Sequence, residues 1–364
     1  MKRERVAVLG AGGFIGSHLV PALLAAREDL EIVAVDLTFE KLVSTEPRVR
    51  FVTASVDRPG LLDDVTARCS TVLSLTALCN PSLYNTRPLD VIDANYTDLV
   101  PLVKLCAARG VRLVHFSTCE VYGRRALDAG GHETPTMNEE TTGMFLGPVD
   151  RERWTYACAK QLLERVIWAH GLHGALDFTI VRPFNVIGPR MDFVPGVDGE
   201  GVPRVLASFM SALLRDEELP LVAGGARRRS FISVDDFVEA VVRIVERPAA
   251  CRRQILNLGN PANEVSVRAL AEVLARAYAA RVPGAARARF RDVTAEELYG
   301  AGYDDSEQRV PDIGKARRLL SWQPETTLEQ MLPGIVDDYV ARYGPALATE
   351  RRAVAVRATR SKAP

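Results

Sequence analysis

Apolar positions fall into two alternating textures along the chain. Short continuous runs at Val6–Leu9, Glu31–Val35, Phe51–Val52, Thr71–Leu75, Leu113–Ser117 and Phe178–Val181 read as strands buried on both faces. Between them, segments such as Phe14–Ala26, Leu99–Ala108 and Ala157–His170 repeat their apolar residues at helical spacing. Strands alternating with helices predict an α/β fold, a doubly wound parallel sheet with helices on both faces. After Arg182-Pro183 the texture changes. Gly188–Gly201 is rich in Gly, Pro and Asp and predicts a long loop. Beyond it, helices are expected at Arg204–Arg215, Asp235–Val245, Val265–Tyr278 and Thr327–Tyr343, and strands at Leu219–Val222 and Ile255–Leu258. This pattern divides the chain into a sheet domain over 1–185, to which 232–260 returns, and a smaller α/β C-terminal substrate-binding domain over 186–231 and 261–345. There is no internal repeat.

Composition narrows the picture. Of 364 residues, 47% are hydrophobic and 25% charged, as in an ordinary globular protein. Lys plus Arg and Asp plus Glu are both 46, so no basic excess points to nucleic acid. Residues 350–364 hold five bases and one acid, which makes the basic tail over 346–364 a solvated, disordered segment by expectation. The rival reading, a membrane or polyanion anchor, lacks an amphipathic pattern. No apolar run reaches the ~20 residues that span a bilayer, and MKRERVAVLGAGG lacks the apolar core of a signal peptide. Cys69, Cys79, Cys106, Cys119, Cys158 and Cys251 form no C-x-x-C pair and no ligand spacing with His. No disulfide framework and no metal site is expected, and a reducing cytoplasm is.

The chemistry begins where the first strand meets the first helix, at Gly10-Ala-Gly-Gly13-Phe14-Ile15-Gly16. Glycines there permit a tight turn and let backbone approach a pyrophosphate at a helix N-terminus. Asp36, twenty residues beyond Gly16, closes the second strand. An acid at that place accepts from the ribose hydroxyls of the adenosine and repels a 2′-phosphate, so NAD is expected rather than NADP. A glycine turn that binds nothing is the bland alternative. The spacing, G-x-x-G-x-x-G rather than G-x-G-x-x-G, resembles the extended, nucleotide-sugar-modifying branch of the short-chain dehydrogenase/reductase superfamily, which implies a Rossmann-type sheet. By that resemblance Val56, Leu75 and Asn95 line the cofactor.

Tyr156-Ala-Cys-Ala-Lys160 sets a phenol and an ammonium on one helix face. A lysine and a cationic nicotinamide both draw the phenol pKa, ordinarily about 10, toward working pH, so that Tyr156 can take a proton from a sugar hydroxyl. Upstream, Ser117-Thr118-Cys119-Glu120 closes a strand of the same sheet, where such folds carry catalytic side chains. Thr118 is placed to hydrogen-bond the same hydroxyl. Within the resembled branch, 4-epimerases have no acid–base pair after that threonine, 4,6-dehydratases carry Asp-Glu and UDP-glucuronate decarboxylases Ser-Glu. Here the pair is Cys119-Glu120, and Cys119 reads either as chemistry or as a small buried hydrophobe.

Longer strings carry a narrower resemblance. Cys79-Asn-Pro-Ser-Leu-Tyr84, Phe116-Ser-Thr-Cys119-Glu120-Val-Tyr-Gly, Arg153-Trp-Thr-Tyr156, Val181-Arg-Pro-Phe-Asn185-Val-Ile-Gly-Pro-Arg190 and Tyr299-Gly-Ala-Gly-Tyr303-Asp-Asp-Ser resemble the UDP-apiose/UDP-xylose synthase family, from about Val6 to Tyr343. The resemblance implies UDP-glucuronic acid as substrate and a recycled NAD. The sugar C4 is oxidised, the β-keto acid loses carbon dioxide, and retro-aldol cleavage with re-closure contracts the ring before reduction. It assigns Tyr156 as base, Lys160 as its tuner, and Cys79 with Cys119 as proton-moving thiols beside Glu120. Arg153 is implied to hold the carboxylate or keto oxygen and Tyr84 to contact the sugar. Arg204, Arg229 and Arg309 are implied at the diphosphate, with Asn185 and Tyr303 on the nucleotide sugar. A homodimer is implied through the Tyr156 helix, whose Leu162, Leu163, Val166 and Ile167 serve equally well as core. Two readings stand beside this one: a plain UDP-glucuronate decarboxylase, and a non-catalytic NAD-binding sensor.

Overall fold

Buried strand and helix alternate from the start: β1 (Glu4–Leu9), α1 (Phe14–Ala26), β2 (Leu30–Asp36), β3 (Val49–Thr53), α2 (Leu61–Arg68) and β4 (Thr71–Ser74). Then come α3 (Pro88–Asn95), α4 (Val100–Arg109), β5 (Arg112–Phe116), α5 (Thr155–His173) and β6 (Phe178–Pro183). The computed structural model describes residues 3–360 apart from Val43, Arg125, Ala126, Ala129 and residues 301–303, and beyond residue 347 it describes backbone alone. The second half holds β7 (Val186–Ile187), α6 (Val205–Arg215), β8 (Leu219–Val222), β9 (Arg228–Ser230), β10 (Ile232–Ser233), α7 (Val234–Glu246), α8 (Pro248–Cys251) and β11 (Gln254–Leu258). It closes with β12 (Glu264–Ser266), α9 (Val267–Arg281), β13 (Phe290–Val293), α10 (Ala295–Tyr299), β14 (Gln308–Arg309), α11 (Gly314–Leu320) and α12 (Leu328–Arg360).

Seven strands form one parallel sheet in the order β11-β6-β5-β4-β1-β2-β3. Its strands are apolar on both faces because helices cover both. On one face Val8, Leu73, Val114 and Val181 pack with α1 and α7; on the other Leu9, Val72, Leu113 and Ile180 pack with α2, α4 and α5. A separate core joins α6, α9 and α12 through Phe209, Met210, Leu274, Leu332 and Tyr339. Strand order reverses between β1 and β4, so a crevice opens at their carboxyl ends, where open α/β sheets bind ligands. The glycine turn follows β1, Cys79 follows β4, Thr118 follows β5 and Asn185 follows β6. The expected break at 346 is not a break in secondary structure. α12 carries its backbone on to Arg360, consistent with the high helix propensity of an Ala- and Arg-rich stretch.

Candidate active site

The glycine turn is shaped for close approach. Gly10 has φ +86°, and a Cβ there would stand 3.0 Å from the backbone of Leu75 and Thr76. A Cβ on Gly12 would run into the Thr38 carbonyl, and one on Gly16 into that of Gly10. Gly13 caps α1 without any side-chain hydrogen bond, which leaves the N-terminal N–H groups for a ligand. Phe14 and Ile15 form the first turn, half-buried. Asp36 is fixed in place, its carboxylate accepting from Gly12 N at 2.8 Å and Leu37 N at 2.7 Å. Val56 lies half-buried just past β3, and Leu75 N donates to Leu9 O at 2.8 Å. Asn95 is wholly buried and donates to Leu78 O at 3.0 Å and Val91 O at 2.8 Å, so it supports the segment after β4 from behind. Ser74 Oγ and Thr76 Oγ1, at the end of β4, are buried without a partner among the described residues, and polar atoms so placed call for a ligand or water. The cradle fits a dinucleotide.

Beside it, α5 presents Tyr156 and Lys160. Lys160 is fully buried and donates to the Phe116 carbonyl at 3.0 Å, and burial draws its pKa down to about 8. Tyr156 stacks on Tyr84 with ring centroids 5.4 Å apart and planes 9° from parallel. Burial pushes the Tyr156 phenol well above its ordinary pKa. Cys79, Glu120 and Cys119 add to that, and a hydrogen bond with Thr118 opposes it. Cys119 is buried and its thiol is raised by burial, while nearby Arg309 lowers it. Cys79 is different. It lies exposed beyond β4 and lines the same cavity as Glu120, Arg153, Asn185, Arg204, Arg229 and Arg309.

A charge cluster forms one wall of that cavity. Arg153, almost wholly buried, grips Glu120 through two bonds of 2.5 and 2.9 Å and reaches Asp305 at 3.4 Å. Arg309 meets Glu120 at 3.3 Å and Asp305 at 2.6 Å, and Arg229 meets Asp305 at 2.6 Å. Arg227 stands 3.9 Å from Asp305. Despite burial, these guanidiniums hold the Glu120 carboxyl below its ordinary pKa and that of Asp305 far below. The Arg153 guanidinium also lies 5.5 Å from the Tyr84 ring, tying the cluster to the Tyr156 stack. Arg204 sits apart at the start of α6, paired with Asp192 at 3.2 Å and 5.9 Å from the Phe14 ring. Asn185 donates to Ser230 O at 2.9 Å with φ +35°. Tyr303 lies outside the described residues. Sequence reasoning missed Asp305. Its signal was three singled-out arginines with a single acid, Glu120, to face them.

Residues 6–259 match the model of the NAD dependent epimerase/dehydratase family. The chain belongs to that family. Within it, UDP-D-apiose/UDP-D-xylose synthase 1 of Arabidopsis thaliana is 42% identical over 90% of this chain and 89% of that protein. The UDP-D-apiose/UDP-D-xylose synthase of Oryza sativa subsp. japonica is 44% identical over 90% and 87%. Among solved structures, the PbgP3 protein of Burkholderia pseudomallei superposes with a TM-score of 0.82 at 31% identity, covering 95% of this chain and 99% of that one. The UDP-glucuronic acid 4-epimerase of Bacillus cereus, solved with UDP-glucuronic acid and NAD, shares the fold at a TM-score of 0.75 and 21% identity, covering 93% of this chain and 100% of its own. As in this family generally, the cofactor is NAD.

Proposed function

We propose that the protein converts UDP-glucuronic acid to UDP-apiose and UDP-xylose, taking up one proton and releasing one carbon dioxide per turnover. One observation carries this reading: both thiols and Glu120 lie close enough to bear on the Tyr156 phenol, and Cys79 and Glu120 line a cavity walled by arginines. Bound NAD supplies the two-electron acceptor and, at the end, the donor. Tyr156 takes the C4 hydroxyl proton, with Thr118 holding the hydroxyl and Lys160 stabilising the phenolate. Arg153 steadies the substrate carboxylate, which leaves as carbon dioxide because the C4 ketone accepts the electron pair. Glu120, kept ionised by Arg153 and Arg309, serves as base toward the ring hydroxyls, and Cys119 and Cys79 move protons during cleavage and re-closure. Arg204, Arg229 and Arg309 hold the diphosphate as guanidinium forks do, with Asn185 and Tyr303 on the nucleotide sugar. Decarboxylation alone would leave Cys79, exposed in the cavity, without work, and a silent sensor would have no use for the intact Thr118, Tyr156 and Lys160.

Carboxy-lyase chemistry, a cytoplasmic setting and a homodimer belong to the same proposal. Leu163 and Ile167 are core, whereas Leu162, Trp168 and Leu172 of α5 stand exposed, as a dimer seam there requires. No helix among the described residues is long and apolar enough to cross a membrane. Proton NMR of the products from UDP-glucuronic acid and NAD tests the reading. Branched-furanose signals beside xylose are expected, and Cys119→Ser should lose the furanose while still releasing carbon dioxide. Xylose or a 4-ketopentose alone from the unaltered enzyme would overturn ring contraction.

A further inference from the structure

Lys160 lies against a stretch of the sheet where several buried polar atoms go unmet. Side chains alternate between the two faces of a sheet along each strand. Val72 of β4 and Leu113 of β5 pack on the side of α2, α4 and α5, so Ser74 and His115, two residues on, lie on that face. Ser74 and His115 are partners across the two strands, and Ser117 follows His115 on the same face just past β5. Lys160 of α5 comes down here. Its Nζ donates to the carbonyl of Phe116, the residue between His115 and Ser117, at 3.0 Å.

Ser74 Oγ, His115 Nε2 and Ser117 Oγ are each buried without a hydrogen bond among the described residues. Lys160 is buried too, and the Phe116 carbonyl takes one of its three N–H groups. Orphaned polar atoms on one face, beside an ammonium with N–H groups to spare, are what an internal water joins. Burial keeps the His115 ring neutral, well below its ordinary pKa, and the charge of Lys160 adds to that. A neutral ring has one bare nitrogen, and the tautomer favoured beside a cation turns that lone pair toward it. The other titratable groups around Lys160 do not take this place. Cys79, after β4, and Glu164, on α5, favour its charge. Cys79 stands exposed in the cavity, and Glu164 is committed to Arg182 at 3.0 and 2.6 Å. Tyr156 is the group that Lys160 supports, while the buried polar residues of α3 and α4, Asn95 and Cys106, bring no charge.

We propose that His115 Nε2, with Ser74 and Ser117, holds a water against the Lys160 ammonium, and that His115 is thereby a positioning residue for the Tyr156 base. The water accepts from Lys160 Nζ and donates to His115 Nε2 and to a serine oxygen. It gives the buried ammonium an acceptor where apolar side chains give none, and so opposes the burial that draws the Lys160 pKa down to about 8. The consequence for catalysis rests on the proposed function, in which Tyr156 is the base. The hydrogen bonds do not.

Two measurements test this, and the first needs no substrate. Ring-nitrogen NMR of the NAD-loaded enzyme, labelled at its five histidines, identifies His115 by the signal lost in His115→Phe. That signal should stay neutral from pH 6 to pH 9, with the proton on Nδ1 and Nε2 bare. A proton on Nε2 overturns the proposal. The second follows enzyme-bound NADH formed from UDP-glucuronic acid in the first turnover, across the same pH range. In His115→Phe, Lys160 should lose its proton about one unit lower, so the rate at the alkaline end falls roughly tenfold while the rate near pH 7 falls less. His115→Gln, whose amide oxygen can accept in place of Nε2, should restore most of the alkaline limb. A profile merely scaled down in His115→Phe, or an equal loss in both variants, makes His115 a packing residue and overturns its positioning role. No NADH from the unaltered enzyme would count against the proposed substrate, and the ring-nitrogen spectrum would still decide the hydrogen bond.

Discussion

Two buried ion clusters flank α5, and they differ in their arithmetic. About two turns along α5 from Tyr156 and on the same side as Lys160, Glu164 pairs with Arg182 of β6 at 3.0 and 2.6 Å, the two 5% and 1% exposed, with the Arg182 guanidinium 4.7 Å from the Tyr122 ring. Here one charge meets one charge, with Glu139 near enough to feel Arg182 and Arg182 Nη1 buried without a hydrogen bond among the described residues. At the cavity, among the described residues and the ion pairs they make, Arg153, Arg229, Arg309 and Arg227 stand against Glu120 and Asp305, four cations for two anions. A closed pair holds an element in place. A cluster with surplus positive charge, open to a cavity, is built to be completed by an anion. Burial alone would not have separated the two, since both are largely withdrawn from water; the count of charges does.

Removing one partner should expose that difference most plainly in stability. Arg182→Met leaves Glu164 as a lone buried carboxylate and should cost about 3–5 kcal/mol in urea unfolding. Adding Glu164→Leu to it should recover most of the loss, because two apolar residues replace a neutral pair. If the single change costs no more than the corresponding change at the cavity, the closed pair is not the structural member of the comparison.

The corresponding change is Arg309→Met. Arg153 and Arg229 still serve Glu120 and Asp305, so no carboxylate is abandoned, and unfolding should shift by less than about 1–2 kcal/mol. Binding should suffer instead. Loss of one charge-assisted contact to a diphosphate is expected to raise KM for the UDP-sugar roughly tenfold or more, read from initial rates across substrate concentration. A large stability loss with KM unmoved would make the cavity cluster another structural lock.

What the chain showed before folding follows the same division. The glycine turn and Asp36 were legible because their chemistry needs neighbours in sequence and one strand end, and Tyr156 with Lys160 because one helix face sets their spacing. The arginine cluster was only half legible. Glu120, Arg153, Arg229 and Arg309 were singled out, but Asp305, which gathers three of them and stands near a fourth, carries no local pattern and acquires its role only when β9, β14 and the segment after β5 come together. Cys79 was expected at the site, yet its exposure depends on how the segment after β4 opens, which periodicity does not report. Asn95 was expected to line the cofactor; its Nδ2 braces the Leu78 and Val91 carbonyls, while its Oδ1 is buried without a partner among the described residues. Short helices such as α2, α3 and α11 have too few turns to display a period.

The smallest effect is an acid-side slope, and it belongs to the cavity cluster. The guanidiniums of Arg153 and Arg309 hold the Glu120 carboxyl below its ordinary value. A carboxyl whose folded pKa is depressed contributes stability above its unfolded pKa, and that contribution is lost as pH falls through the folded value. As pH drops below about 4.5 the unfolded chain takes up this proton first, so the native state loses up to ~1.4 kcal/mol per pH unit from this group. Glu120→Gln removes the group from the titration. Its unfolding free energy, measured by urea at steps from pH 6 to pH 3, should start lower than that of the unaltered protein, since the arginines lose a charge, and should then fall less steeply below pH 4.5. Parallel curves would mean that Glu120 binds its proton equally in both states, and the carboxylate would then not be held ionised by the arginines as its role as base requires.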